Sequence, residues 1–196
     1  MTTRRDFLAT ALASAQPLHF ADVGPILAAP AVHKQVFGIR HVADGEGLGQ
    51  MRNSLNAYEI ARSEGPGTLH ALGVLYGSSV ALAFADEAWR KYRIAEALKF
   101  RGDELSASVS AGNPFANGGD ASIATLSRRG AAFFVCNNAL GGFAKSLVAG
   151  LGLVHGPVES VADALRAALL PGATLVPAGV AALNDAQERH YTYVAV

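Results

Sequence analysis

Cys136 is the only cysteine of this chain, and it stands at the end of the apolar run Ala131–Val135, directly before Asn137 and Asn138. A helix pattern begins within three residues. A thiol at such a strand-to-helix junction faces unsatisfied backbone N–H groups and the positive end of the helix dipole, and both favour the nucleophilic thiolate. The two asparagines add uncharged amide donors that could hold an anionic sulfur or a substrate oxygen. The plainer reading is a small buried hydrophobe, which is what most free cysteines are. In sequence, neither lysine, arginine nor histidine neighbours the thiol, so the residue types alone leave both readings open.

Other motifs are weaker. DGEGLG, residues 44–49, has glycines between a strand and a helix, but it lacks the G-x-G-x-x-G spacing. Asp44 and Glu46 would also repel a pyrophosphate, so a flexible turn is expected there. YGSS, residues 76–79, puts serines at a strand end, yet Val80 replaces the second glycine of a nucleophile elbow. Ser79 is therefore expected as a helix N-cap, and Tyr76 either lines a pocket or finishes the strand. The six histidines fall at 19, 33, 41, 70, 155 and 190 with no metal-ligand spacing between them, so no metal site is expected. Nothing in these residues calls for a cofactor; a flavodoxin-like nucleotide site is the weakest of the options.

The elements that must position these residues follow from periodicity. Strands are expected at 35–42, 69–77, 131–135, 173–177 and 191–196. Between them the spacing predicts helices over 48–62, 79–98 (with Asp86 as a point of restart), 139–149, 158–169 and about 178–190, with a short one in DASIATLSRRG, residues 120–130. Leu48, Met51, Leu55 and Tyr58 make one apolar stripe, and Trp89, Tyr92 and Ala95 another. In the helix after 158, Val158, Val161, Ala162, Leu165, Ala168 and Leu169 share a face. Residues 99–119 form the longest irregular stretch. Strand and helix periods alternate throughout, which argues an α/β fold: a three-layer α/β/α sandwich with a mostly parallel sheet of about five strands.

Composition agrees. Apolar residues make up 51% and charged ones 16%, against about 25% charged in an average domain. Such a chain has much to bury, as a sheet covered on both faces requires, or it has adhesive surfaces that favour a homo-oligomer. Sixteen basic residues balance sixteen acidic ones, which leaves no electrostatic footprint for nucleic acid. No apolar run reaches the roughly 18 residues of a membrane span.

Residues 1–15 read separately. Thr3, Arg4, Arg5, Phe7 and Leu8 match the pattern of a twin-arginine export leader, and Ala13-Ser14-Ala15 offers a small-residue cleavage site. Export to the periplasm is the expectation, with a cytoplasmic protein as the other reading. Residues 16–34, with three prolines, read as an extended tail before a single domain over 35–196.

Within that domain, VLYGSSVALAFADEAWRKYRIAEALK (74–99), NPF (113–115), RGAAFFVCNNAL (129–140) and LPGATLVPAGVAALNDAQERHYTYV (170–194) resemble the DsrE/DsrF-like sulfur-relay family in order and spacing. The resemblance implies an α/β/α sandwich assembled as homotrimers or hexamers. It also implies that Cys136 stands where a strand-end cysteine carries sulfur as a persulfide, received from and passed to partner proteins. One cysteine is enough for such a carrier, because the sulfur moves on to another thiol and no internal disulfide forms. Asn137, Asn138 and Tyr76 would be its surroundings. A non-catalytic, oligomeric small-ligand-binding module of the same fold is the other function to weigh.

Overall fold

A computed structural model describes residues 21–99, 112–150 and 154–196. The leader, residues 1–15, and the middle of the irregular stretch lie outside these. A short helix α1 (Gly24–Leu27) leads into strand β1 (His33–Ile39). Helix α2 (Glu46–Asn56) follows, then β2 (Leu69–Leu75), a 3-10 segment over Gly77–Ala83, and the short helices α3 (Asp86–Lys91) and α4 (Ile94–Ala97). After α5 (Ile123–Arg128) come β3 (Ala132–Cys136), α6 (Asn137–Gly150), α7 (Val158–Ala167), β4 (Ala173–Val176), α8 (Gly179–Glu188) and β5 (Thr192–Ala195).

The five strands form one sheet in the order β4-β3-β2-β1-β5, and every pairing is parallel. Central strands with neighbours on both sides and helices above and below must be apolar on both faces. β2 meets that demand: Leu69, Ala71 and Leu75 pack into one core cluster, Leu72 and Val74 into the other. The larger core joins Phe37, Ile39, Phe133 and Val135 to Leu48, Met51 and Leu55 of α2, Trp89 of α3, Leu140 of α6 and Leu165 of α7. On the opposite face Val36, Leu72, Val74, Phe134 and Val176 meet Ala182, Leu183 and Ala186 of α8, with Leu27 and Tyr191 beside them. The expected α/β/α sandwich is therefore present, its sheet wholly parallel. Among the described residues no helix is long and apolar enough to cross a membrane.

Several boundaries differ from the periodic reading. His33 and Lys34 belong to β1 and not to the tail, because they pair in register with Leu69 and His70; the strand in turn stops at Ile39 and frees Arg40–Val42. Within that tail, residues 24–27 close a helical turn, started by Pro25 in a position that needs no N–H donor. The long helix expected over 79–98 is broken twice. Phe84 leaves helical geometry to bridge Leu169, and Arg93 takes a left-handed φ of 48° between α3 and α4. Burial of Trp89, Tyr92 and Ala95 survives the break, which is why the apolar pattern looked continuous. Helix α6 begins at Asn137, immediately after the cysteine, and not at 139.

Candidate functional site

Strand β3 delivers Cys136 to the carboxyl edge of the sheet, where parallel α/β folds place their ligands. Its backbone pairs with Val176 of β4, and its side chain turns toward the face covered by α8. The thiol is buried, with 6% of the residue exposed. Because the helix starts on the next residue, its first turn curls over the sulfur. The Ala139 N–H donates to Sγ at 3.4 Å. One of the orphan donors of a 14-residue helix is thus spent on sulfur.

Three other side chains were expected around this thiol. Tyr76, one residue past β2, is half-buried and does lie beside Cys136. Both flank Gly179, the first residue of α8: a Cβ placed on Gly179 would sit 3.0 Å from the Tyr76 Cβ and 3.2 Å from the Cys136 Cβ. Burial first, and then Tyr193 of β5, raise the pKa of the Tyr76 phenol above the ordinary value, with Arg40 opposing. Asn138 is exposed on the first turn of α6. Asn137 is turned toward α7, where the Arg166 Nε donates to its Oδ1 at 2.9 Å. With that oxygen engaged, the edge of Asn137 left to other partners is the Nδ2 amide, a donor.

Arg166 is the residue that the sequence reading missed. It lies 29 positions from Asn137, so no local spacing announces it. Its own helix holds it: Nη1 pairs with Glu159 at 3.0 Å and with Asp163 at 2.6 Å. The one available hint was an arginine on an otherwise apolar-faced helix with acids three and seven residues before it. The arginine side chain is only 13% exposed, while both acids are largely in solvent. A cation absent from the sequence neighbourhood of Cys136 thus reaches the residue next to it.

Ser79 is not an N-cap. Its hydroxyl is buried and donates to the Ile39 carbonyl at 2.5 Å and the Tyr76 carbonyl at 3.1 Å, tying the ends of β1 and β2 together. DGEGLG is a tight turn that runs into α2. Residues 43–45 wind through positive φ values of 37°, 51° and 82°, and the places of two missing side chains are filled by neighbours. A Cβ on Gly45 would stand 2.7 Å from the Phe115 ring, and one on Gly47 the same distance from Ile39.

Beside this turn lies an open cleft of about 390 Å³, lined by His41, Val42, Ala43, Asp44, Ser78, Leu98 and Lys99. It occupies the carboxyl ends of β1 and β2, and Cys136 is not among its walls. Of the other histidines, His33 pairs with Glu64 at 2.9 Å and His70 bonds to Tyr191. Among the described residues no three His, Cys, Asp or Glu side chains gather as metal ligands.

No family model matches this chain, and no curated protein does. Among solved structures, the chain is similar to the protein of unknown function MTH1491 from Methanobacterium thermoautotrophicum. The two share 18% identity with a TM-score of 0.45, over 84% of this chain and 99% of that one.

Proposed function

We propose that this protein carries sulfane sulfur as a persulfide on Cys136 and delivers it to an acceptor thiol. The observation that supports this is the Ala139 N–H donated to the Cys136 sulfur at the start of α6. In the loading step the Cys136 thiolate attacks a sulfane sulfur of a persulfide or polysulfide donor. The new S–S bond forms as the donor's own S–S bond breaks, and the electron pair leaves on the shortened donor. In the unloading step an acceptor thiolate attacks the outer sulfur and Cys136 departs as thiolate, so no external oxidant or reductant is consumed. Tyr76 and the amides of Asn137 and Asn138 flank the path. The DsrE/DsrF-like likeness of residues 74–99, 113–115, 129–140 and 170–194, its trimeric or hexameric assembly, and export through the Thr3–Leu8 leader belong to the same proposal.

Intact mass spectrometry before and after polysulfide tests it. The wild type should gain one sulfur that a thiol reductant removes, and Cys136→Ser should gain none. Sulfur loading that persists in Cys136→Ser would end the reading.

The second reading, a small-ligand-binding module, draws on the cleft. Its walls combine an imidazole, a carboxylate, a hydroxyl and an ammonium over an apolar base of Val42 and Leu98. It requires a thiol that resists alkylation until the protein unfolds, together with a ligand-dependent rise in melting temperature.

A further inference from the structure

The cleft at the carboxyl ends of β1 and β2 holds two opposite charges that do not pair. Asp44 and Lys99 both line it, together with the Ser78 hydroxyl, the His41 imidazole and the aliphatic chains of Val42 and Leu98. Among the described residues, none of the four polar side chains has a hydrogen bond or an ion pair. Each of the two charges is carried on a strained backbone. Asp44 has a φ of 51° and Lys99 one of 58°, left-handed values that residues other than glycine seldom adopt. With Ala43, three of the six such residues described line this one cleft, and strain of this kind gathers at ligand sites. The walls are also braced. Phe115 fills the place of a Gly45 side chain behind the turn, and Ser79, next to Ser78, ties the strand ends through the Ile39 and Tyr76 carbonyls.

From this arrangement we propose that the cleft binds a small zwitterion, an α-amino acid with an aliphatic side chain, its carboxylate on Lys99 and its ammonium on Asp44. The proposal rests on the small-ligand reading of the cleft and makes no use of Cys136. A simple anion that meets Lys99 also meets Asp44, and a simple cation meets the reverse conflict, so each is selected against by repulsion. A zwitterion satisfies both walls and brings no net charge. The Ser78 hydroxyl and an imidazole N–H of His41 add donors for the carboxylate, while Val42 and Leu98 offer apolar surface to the side chain. The volume of about 390 Å³ lies near the small end of ligand clefts, which run to about 300–1,000 Å³. Its place fits too. β1 is the strand at which the order turns back, with β2 to β4 on one side and β5 on the other, and open parallel sheets bind ligands beyond the carboxyl ends at such a point.

Titration calorimetry of the full chain at pH 7.5 tests this with three probes of one carbon skeleton: L-leucine, 4-methylpentanoate, which lacks the ammonium, and isopentylamine, which lacks the carboxylate. Leucine should bind one to one, and each half should bind more weakly by roughly fivefold or more. Two variants should give a crossed pattern. Asp44→Asn should weaken leucine and isopentylamine and not 4-methylpentanoate; Lys99→Gln should weaken leucine and 4-methylpentanoate and not isopentylamine. A general loss of structure would weaken all three alike. Should either variant fail to fold, the three probes on the wild type decide alone. A half that binds as tightly as leucine would overturn the zwitterion and leave the cleft a ligand site. Leucine binding unchanged in both variants would overturn it as well, by placing the amino acid elsewhere. So would silence from all three probes; a rise in melting temperature with a ligand of other chemistry would then keep the small-ligand reading, and no rise across a metabolite library would end that too.

Discussion

The Arg166 Nε and the Asn137 Oδ1 meet at 2.9 Å and join the end of α7 to the first residue of α6. Asn137 directly follows Cys136, so this one bond orients the turn that curls over the sulfur. It is also the contact in which a nearly buried cation has an uncharged partner. The two carboxylates that share the guanidinium are solvated, and such exposed pairs contribute little.

Arg166→Ala should accordingly destabilise the fold chiefly through the loss at Asn137, by about 1–2 kcal/mol. Urea unfolding measures this. Glu159→Ala and Asp163→Ala should each cost below ~0.5 kcal/mol. A cycle pairing Arg166→Ala with Asn137→Ala should recover a coupling of about 1 kcal/mol. Strict additivity would show that the bond contributes nothing.

Gly179 sets the space beside the thiol. Its replacement by alanine puts a Cβ 3.0 Å from Tyr76, 3.2 Å from Cys136 and 3.4 Å from Val74, all near rigid backbone. Gly179→Ala should cost roughly 1–3 kcal/mol, as overpacking does. It should also slow alkylation of Cys136 by iodoacetamide at neutral pH relative to wild type. Unchanged alkylation would mean that reagents reach the sulfur by another path.

Asn113 should prove among the most costly polar residues to remove. Its Nδ2 donates to the Leu82 carbonyl at 2.9 Å and the Phe84 carbonyl at 2.7 Å, and its Oδ1 accepts the Phe115 N–H at 2.9 Å. All of this is buried, and it supports the chain where the expected long helix breaks. Asn113→Ala orphans three backbone groups and should destabilise by on the order of 3 kcal/mol or more. Thermal denaturation would show it as a large drop in Tm.

Stability should also fall at both ends of the pH range. The native His70 pKa lies below the free value of 6.5, through burial and then Lys34. The unfolded chain therefore binds the extra proton more readily, so stability is full above 6.5 and declines as pH drops below it. Tyr191 behaves oppositely: burial raises its phenol from 10.0 to about 12 against the pull of Arg189. Its contribution is intact below pH 10 and is lost as pH rises through 12. Urea midpoints against pH should show both slopes, and Tyr191→Phe should flatten the alkaline one.

These residues also show what the sequence could and could not reveal. Period-two and period-3.6 patterns locate the strands and most helices because burial on one or two faces leaves a local signature, as in Ala132–Cys136 and in the Val161–Leu165 face. Cys136 is legible because its type and junction are both local facts. Arg166 is not, since its partner is chosen by how α7 packs against α6. Ser79 and Gly45 mislead for a related reason. A serine after a strand resembles a cap, and a glycine-rich turn resembles slack, until Ile39 and Phe115 arrive from elsewhere to fill the space.

The strand order has a consequence for how the molecule is assembled. β5 docks beside β1, pairing residues 192–195 with 35–38, although every other strand adds outward on the opposite side. Residues 35–38 must therefore wait for nearly the whole domain to be synthesised before their second neighbour exists. Until then β1 presents an unpaired edge, carrying Val36 and Phe37 at its centre, to any other chain in the same state. Closing so long a loop is slow. Productive folding thus becomes a race between β5 reaching its place and a neighbouring molecule reaching it first.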